Sequence, residues 1–103
     1  MNYLLLEDGS YFNVKIEKGI KNILGKLTLE DECNTKLISY MGDINLQSNL
    51  SNKNNCMVLD KYDLKIINKK IRDNTHLLGK LVTDSLPLEF HVYDLKTSVP
   101  YEI

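Results

Sequence analysis

Tyr3-Leu4-Leu5-Leu6, Glu7-Asp8-Gly9-Ser10 and Tyr11-Phe12-Asn13-Val14-Lys15-Ile16-Glu17 read as a short apolar run, a turn and a strict alternation. Phe12, Val14 and Ile16 fall on one face; Tyr11, Asn13, Lys15 and Glu17 fall on the other. A repeat of two marks a strand with one wet face. Asp8-Gly9 between the two runs signals a hairpin, because a type I′ turn needs positive φ and glycine adopts it without steric cost.

The alternation continues outward from this hairpin. Ile23 to Glu30 reads as a strand with Ile23, Leu27 and Leu29 on one face, and Gly25 marks a bulge or a close backbone approach. Asp31-Glu32-Cys33-Asn34 is turn-like, Lys36 to Met41 and Ile44 to Leu50 are strand candidates, and Gly42-Asp43 is a turn between them. Ser51 to Asn55 is a polar loop, and Cys56 to Leu59 is a short buried strand. The period then changes. Asp60 is placed to cap a helix, Leu59 and Leu64 to staple it, and Leu64, Ile67 and Ile71 follow at helical spacing. This predicts a helix over 61–73, with a strand over Tyr62 to Ile66 as the rival. Leu77 to Thr83 reads as a strand interrupted by Gly79. Leu88, Phe90 and Val92 alternate with Glu89, His91 and Tyr93, which predicts a second amphipathic strand behind Pro87. Lys96 to Ile103 is expected to be irregular. The expected fold is one α+β domain over residues 1–103: an antiparallel sheet of about six to eight short strands with one late helix. A small β-barrel or sandwich is the alternative.

A chain of 103 residues suffices for a modest core without disulfides or metal. The formal net charge of −1 argues against a protein that coats nucleic acid by bulk charge. Alanine is absent, which removes one support for long helices. No segment reaches the roughly 18 apolar residues that span a bilayer. Met1 to Leu6 lacks the basic stretch of a secretory signal, so a cytoplasmic, reducing location and no membrane association are expected. Cys33 and Cys56 are expected as buried thiols, with one Cys33–Cys56 bridge as the alternative.

Cys33, Cys56, His76 and His91 are metal-ligand types, but they lack the close pairing of a structural zinc site, so no metal or other cofactor is expected. On a strand, Glu89, His91 and Tyr93 would form a row beside Asp94; a row does not converge on a reacting atom as acid–base catalysis requires. No phosphate loop, nucleophile elbow or paired-histidine metalloprotease motif occurs. Lys61, Lys65 and Lys69 make one helical stripe, extended by Lys70 and Arg72, which suits phosphates or an acidic protein. A single arginine weighs against base readout. Glu7-Asp8 and Glu30-Asp31-Glu32 are acidic turns able to steer a basic partner.

These features favour a non-enzymatic protein-binding domain, in its sharper form an inhibitor or immunity-type protein that occludes a toxin or nuclease. Tyr11, Glu30, Asp31 and Glu32 are its expected contacts, and Tyr40, Tyr62 and Tyr93 are further exposed aromatic candidates. The alternatives are a nucleic-acid-binding module using Lys61, Lys65, Lys69, Lys70 and Arg72, or a structural, phage-type assembly protein.

Overall fold

The computed structural model describes residues 2–17, 19–31, 34–49 and 55–97. Among them, β1 (Tyr3–Leu6), β2 (Tyr11–Asn13), β3 (Ile23–Glu30), β4 (Asn34–Ser39), β5 (Gly42–Gln47) and β6 (Cys56–Val58) precede α1 (Lys61–Asp73), β7 (Leu78–Val82) and α2 (Leu88–Lys96). The strands form one sheet in the order β2-β1-β7-β3-β4-β5-β6. The α+β class therefore holds, with two corrections: the sheet is mixed and there are two helices.

All neighbouring strands are antiparallel except β5 and β6, which run parallel. A tight hairpin would force antiparallel pairing. Here Asn45 of β5 is level with Cys56 at the start of β6, and the Asn45 N–H donates to the Asn55 carbonyl at 2.9 Å. The sheet curls into a half-barrel, and its two edges meet where Lys15 bridges Val58.

The first turn is also corrected. Gly9 has φ +92°, but Asp8 does not have positive φ, so the turn is not type I′. The Gly9 N–H donates to the Leu6 carbonyl and the Leu6 N–H to the Ser10 carbonyl. This is a three-residue loop closed by glycine in a left-handed conformation. Between β4 and β5 the turn is Tyr40-Met41 rather than Gly42-Asp43, which instead open β5. Ser39 Oγ fastens that turn, accepting from the Met41 N–H at 3.1 Å and donating to the Gly42 carbonyl at 2.9 Å.

The inner face holds the main core: Leu4, Leu6, Leu27, Leu37, Ile44, Leu46, Met57 and Leu81 pack with Ile67 and Ile71 of α1. α1 begins where its cap dictates, with Asp60 Oδ1 accepting from the Tyr62 N–H at 2.8 Å. Losing such a cap costs about 1 kcal/mol. Leu59 and Leu64 join the same core, as a staple requires. Gly25 is a close approach: a Cβ there would overlap the Ile38 carbonyl.

The outer face is covered by α2, where Leu95 packs on Leu5 and Leu78, flanked by Tyr3, Leu24, Leu88 and Val92. Residues 88–93 were expected as a strand and Lys96 as irregular, but Leu88–Lys96 form a helix; residues 98–103 of the expected irregular tail lie outside the described residues. Leu88 and Val92 are four apart, a spacing that shares a face in both periods. The residues between them decide. Phe90, which a strand would bury, is 54% exposed, and His91, which a strand would expose, is 0% exposed. β7 lies between both helix layers and is buried along its whole length.

Candidate interaction face

Building α2 as a helix dissolves the expected Glu89–His91–Tyr93 row. Glu89 and Tyr93 are exposed while His91 points inward. The His91 Nε2 lies 2.9 Å from Asp84 Oδ1, and its Nδ1 is buried with no hydrogen-bond partner among the described residues. An ionised carboxylate only accepts, so Nε2 carries the proton. Edge-on contacts with Tyr3 and Phe90 complete the ring's enclosure. An imidazole without solvent access does not reach a substrate in this conformation. The described residues contain no group of three or more His, Cys, Asp or Glu side chains placed to hold a metal. Cys56 is buried, His76 is exposed, and Cys33 lies outside the described residues.

Asp84 is the organising residue between β7 and α2. Its Oδ1 accepts from the Leu86 N–H at 3.0 Å as well as from His91, and its Oδ2 accepts from Asn22 Nδ2 at 2.6 Å. Asn22 Oδ1 in turn accepts from the Thr83 N–H at 2.7 Å, tying this loop to the start of β3. Burial acts to raise the Asp84 pKa; the bonds from Asn22, Leu86 and His91 outweigh it and hold the pKa below the usual carboxylate value. The carboxylate stays ionised with its side chain 36% exposed.

Beside Asp84, the β1–β2 hairpin and the start of α2 enclose a groove of about 350 Å³ lined by Tyr3, Tyr11, Leu86 and Leu88. The Tyr3 and Tyr11 rings meet edge to face at 5.8 Å. A second groove, of about 280 Å³, lies on the far side of Leu88, between Val92 and Tyr93. Leu88 lines both; Asn13, Asp84 and Ser85 complete the first lining, and Glu89 and Lys96 the second. On the other flank of α2, the largely buried Lys80 of β7 pairs with Asp94 at 2.7 Å and lies under Phe90. That ion pair fastens α2 to the sheet; the sequence pattern did not reveal it, because it links residues on two different elements.

The other expected residues are dispersed. Tyr11 lies in the first groove. Glu30 and Asp31 are exposed at the β3–β4 turn, with Glu30 3.4 Å from Lys36; Glu32 lies outside the described residues. Tyr11 shares a cross-sheet row with Leu5, Lys80 and Leu24. Glu30 is six residues beyond that row on β3, about 20 Å along the strand, so Tyr11 and the acidic turn do not form one contact patch. Glu7 and Asp8 serve the fold: Glu7 Oε1 accepts from the Leu78 N–H, and Asp8 binds Lys70 at 2.7 Å. Lys70 is thereby removed from the lysine stripe. Lys61, Lys65, Lys69 and Arg72 are exposed on α1, and the Lys61 and Lys65 ammonium groups lie 5.2 and 5.9 Å from the Tyr62 ring centre. The Tyr40-Met41 turn projects two apolar side chains, each 82% exposed.

No family model, curated protein or solved structure matches this chain. Among the described residues, no helix is long and apolar enough to cross a membrane.

Proposed function

We propose that this chain is a small, non-enzymatic protein-binding domain acting in the cytoplasm as an inhibitor or immunity-type protein that occludes a partner such as a toxin or nuclease. The observation that carries the reading is the aromatic and aliphatic surface joining Tyr11, Tyr3, Leu86, Leu88 and Tyr93 across two grooves. Exposed apolar side chains rimmed by polar ones support partner docking, and tyrosine offers large contact area at low entropic cost. The enclosure of His91 supports a role without chemistry. Glu30 and Asp31, remote from the grooves, act on the rate of association with a basic partner rather than as contacts.

The test is capture from native lysate with the tagged chain and with Leu86→Asp and Tyr93→Asp variants. One protein retained at near-stoichiometric yield by wild type and lost by both folded variants supports the reading. A partner retained equally by the variants overturns it.

A second reading follows from the α1 surface. Lys61 and Lys65 beside an exposed Tyr62, continued along α1 by Lys69 and Arg72, form a basic face with an aromatic at one end, which suits nucleic acid. Captured nucleic acid that is released by salt and lost on Lys61→Glu plus Lys65→Glu substitution favours that reading.

A further inference from the structure

We propose that the groove bounded by Tyr3, Tyr11, Leu86 and Leu88 is a receptor for one arginine side chain of the partner protein, with Asp84 as the counter-ion. This inference rests on the protein-binding reading and names the chemistry that the face selects.

The groove, at about 350 Å³, lies at the lower end of the ~300–1,000 Å³ range of small-molecule sites, so it suits a long side chain better than a cofactor. Two tyrosine rings and two leucines, which match the methylenes of a long side chain, line it together with the polar Asn13 and Ser85. Its one acid is fixed before anything binds: three donors from Asn22, Leu86 and His91 hold the Asp84 carboxylate in place. An ionised carboxylate accepts about four hydrogen bonds, so one position remains for an incoming donor.

Charge gives the sign of the occupant. No lysine or arginine among the described residues pairs with Asp84 within 4.0 Å. Lys21 lines a neighbouring groove on the other side of Asp84 without forming an ion pair with it. The site also feels Glu89: burial first, then the charges of Asp84 and Glu89, raise the Tyr3 hydroxyl pKa. A negative field at an aromatic wall attracts a cation to the ring faces and repels phosphate. Arginine fits better than lysine, because a planar guanidinium stacks on tyrosine while its N–H groups reach a carboxylate. Preorganisation of Asp84 also lowers the ordering cost of binding.

The test uses N-acetyl-arginine methylamide as probe, and its neutral isostere N-acetyl-citrulline methylamide as control. Binding is read by NMR on the full chain. The arginine probe is expected to shift resonances of Tyr3, Tyr11, Leu86 and Leu88. Roughly tenfold weaker binding is expected for citrulline and on Asp84→Asn substitution. Because Asp84→Asn disturbs the Asn22 contact, Tyr11→Leu is the second variant. It keeps apolar cover on an exposed position, removes the π face, and is expected to weaken the probe several-fold. Shifts of equal size with citrulline, shifts indifferent to both variants, or shifts confined to Glu30 and Asp31 overturn the inference. None of those outcomes touches the protein-binding reading, which stands or falls on capture by the Leu86→Asp and Tyr93→Asp variants.

Discussion

Lys15 and Val58 exchange both backbone hydrogen bonds, each at 2.8 Å, and so join the two edges of the sheet. One residue lies just beyond β2 and the other on β6, at opposite ends of the strand order. The bridge satisfies donors and acceptors that an open edge would offer to another chain.

Lys15→Pro removes one of those donors and fixes φ. A loss of about 1–3 kcal/mol in stability is expected, together with concentration-dependent self-association. Urea unfolding and sedimentation velocity check both. A variant with the stability and self-association of wild type would show that the bridge contributes nothing to closure.

Gly25→Ala places a methyl group against the Ile38 carbonyl, which is backbone and cannot rotate away. Destabilisation of roughly 2 kcal/mol or more is expected. At Gly79 the nearest atoms to an added Cβ belong to the Leu27 and Leu4 side chains. Gly79→Ala is therefore expected to cost less, and the order of the two denaturation midpoints decides.

His91→Ala empties an enclosed site and removes one donor from Asp84, at an expected cost of about 2–4 kcal/mol. Thermal or urea unfolding measures it. The ring is expected to carry a proton on Nε2, facing Asp84, which imidazole ¹⁵N shifts report. A stable His91→Ala variant would show that the ring's enclosure contributes little to the fold.

For Asp8, burial acts upward, and hydrogen bonds from Lys70 and Ser10 together with the Lys70 charge bring the carboxyl down from 3.8 to about 2. A folded pKa below the unfolded one gives stability that is present above pH 3.8 and lost as pH falls toward 2. Asp8 and Lys70 are both partly exposed, so screening limits the effect of Asp8→Asn to about 1 kcal/mol at neutral pH. The difference between variant and wild type is expected to vanish near pH 2, as acid titration of the unfolding midpoint will show.

Much of this architecture was legible residue by residue. The β3 strand runs from Ile23 to Glu30 and α1 from Lys61 to Asp73, as expected, because alternation, a cap and a staple are local signals. The candidate face was half legible. Tyr11 was recognisable as an exposed aromatic, yet its groove was not, because Asp84 and Leu86 reach it only after β7 pairs with β1. The structural duty of Glu7 and Asp8 was not legible, because they form bonds to Leu78 and Lys70, more than sixty residues away.

The amino-acid order alone determined the first hairpin, the β3 strand and the helix behind Asp60. Each follows from steric and hydrogen-bonding preferences within a few residues. Only the tertiary structure decided that β6 pairs in parallel, that Lys15 meets Val58, and that Leu88 to Lys96 is a helix. In that last segment both periods place Leu88 and Val92 on one face. The outer surface of β7, with Leu78 and Lys80 to be covered, selects the helix by burying Leu95 against Leu78 and pairing Asp94 with Lys80. A sequence window cannot contain that surface, because the strand that makes it is central only after the whole sheet has formed.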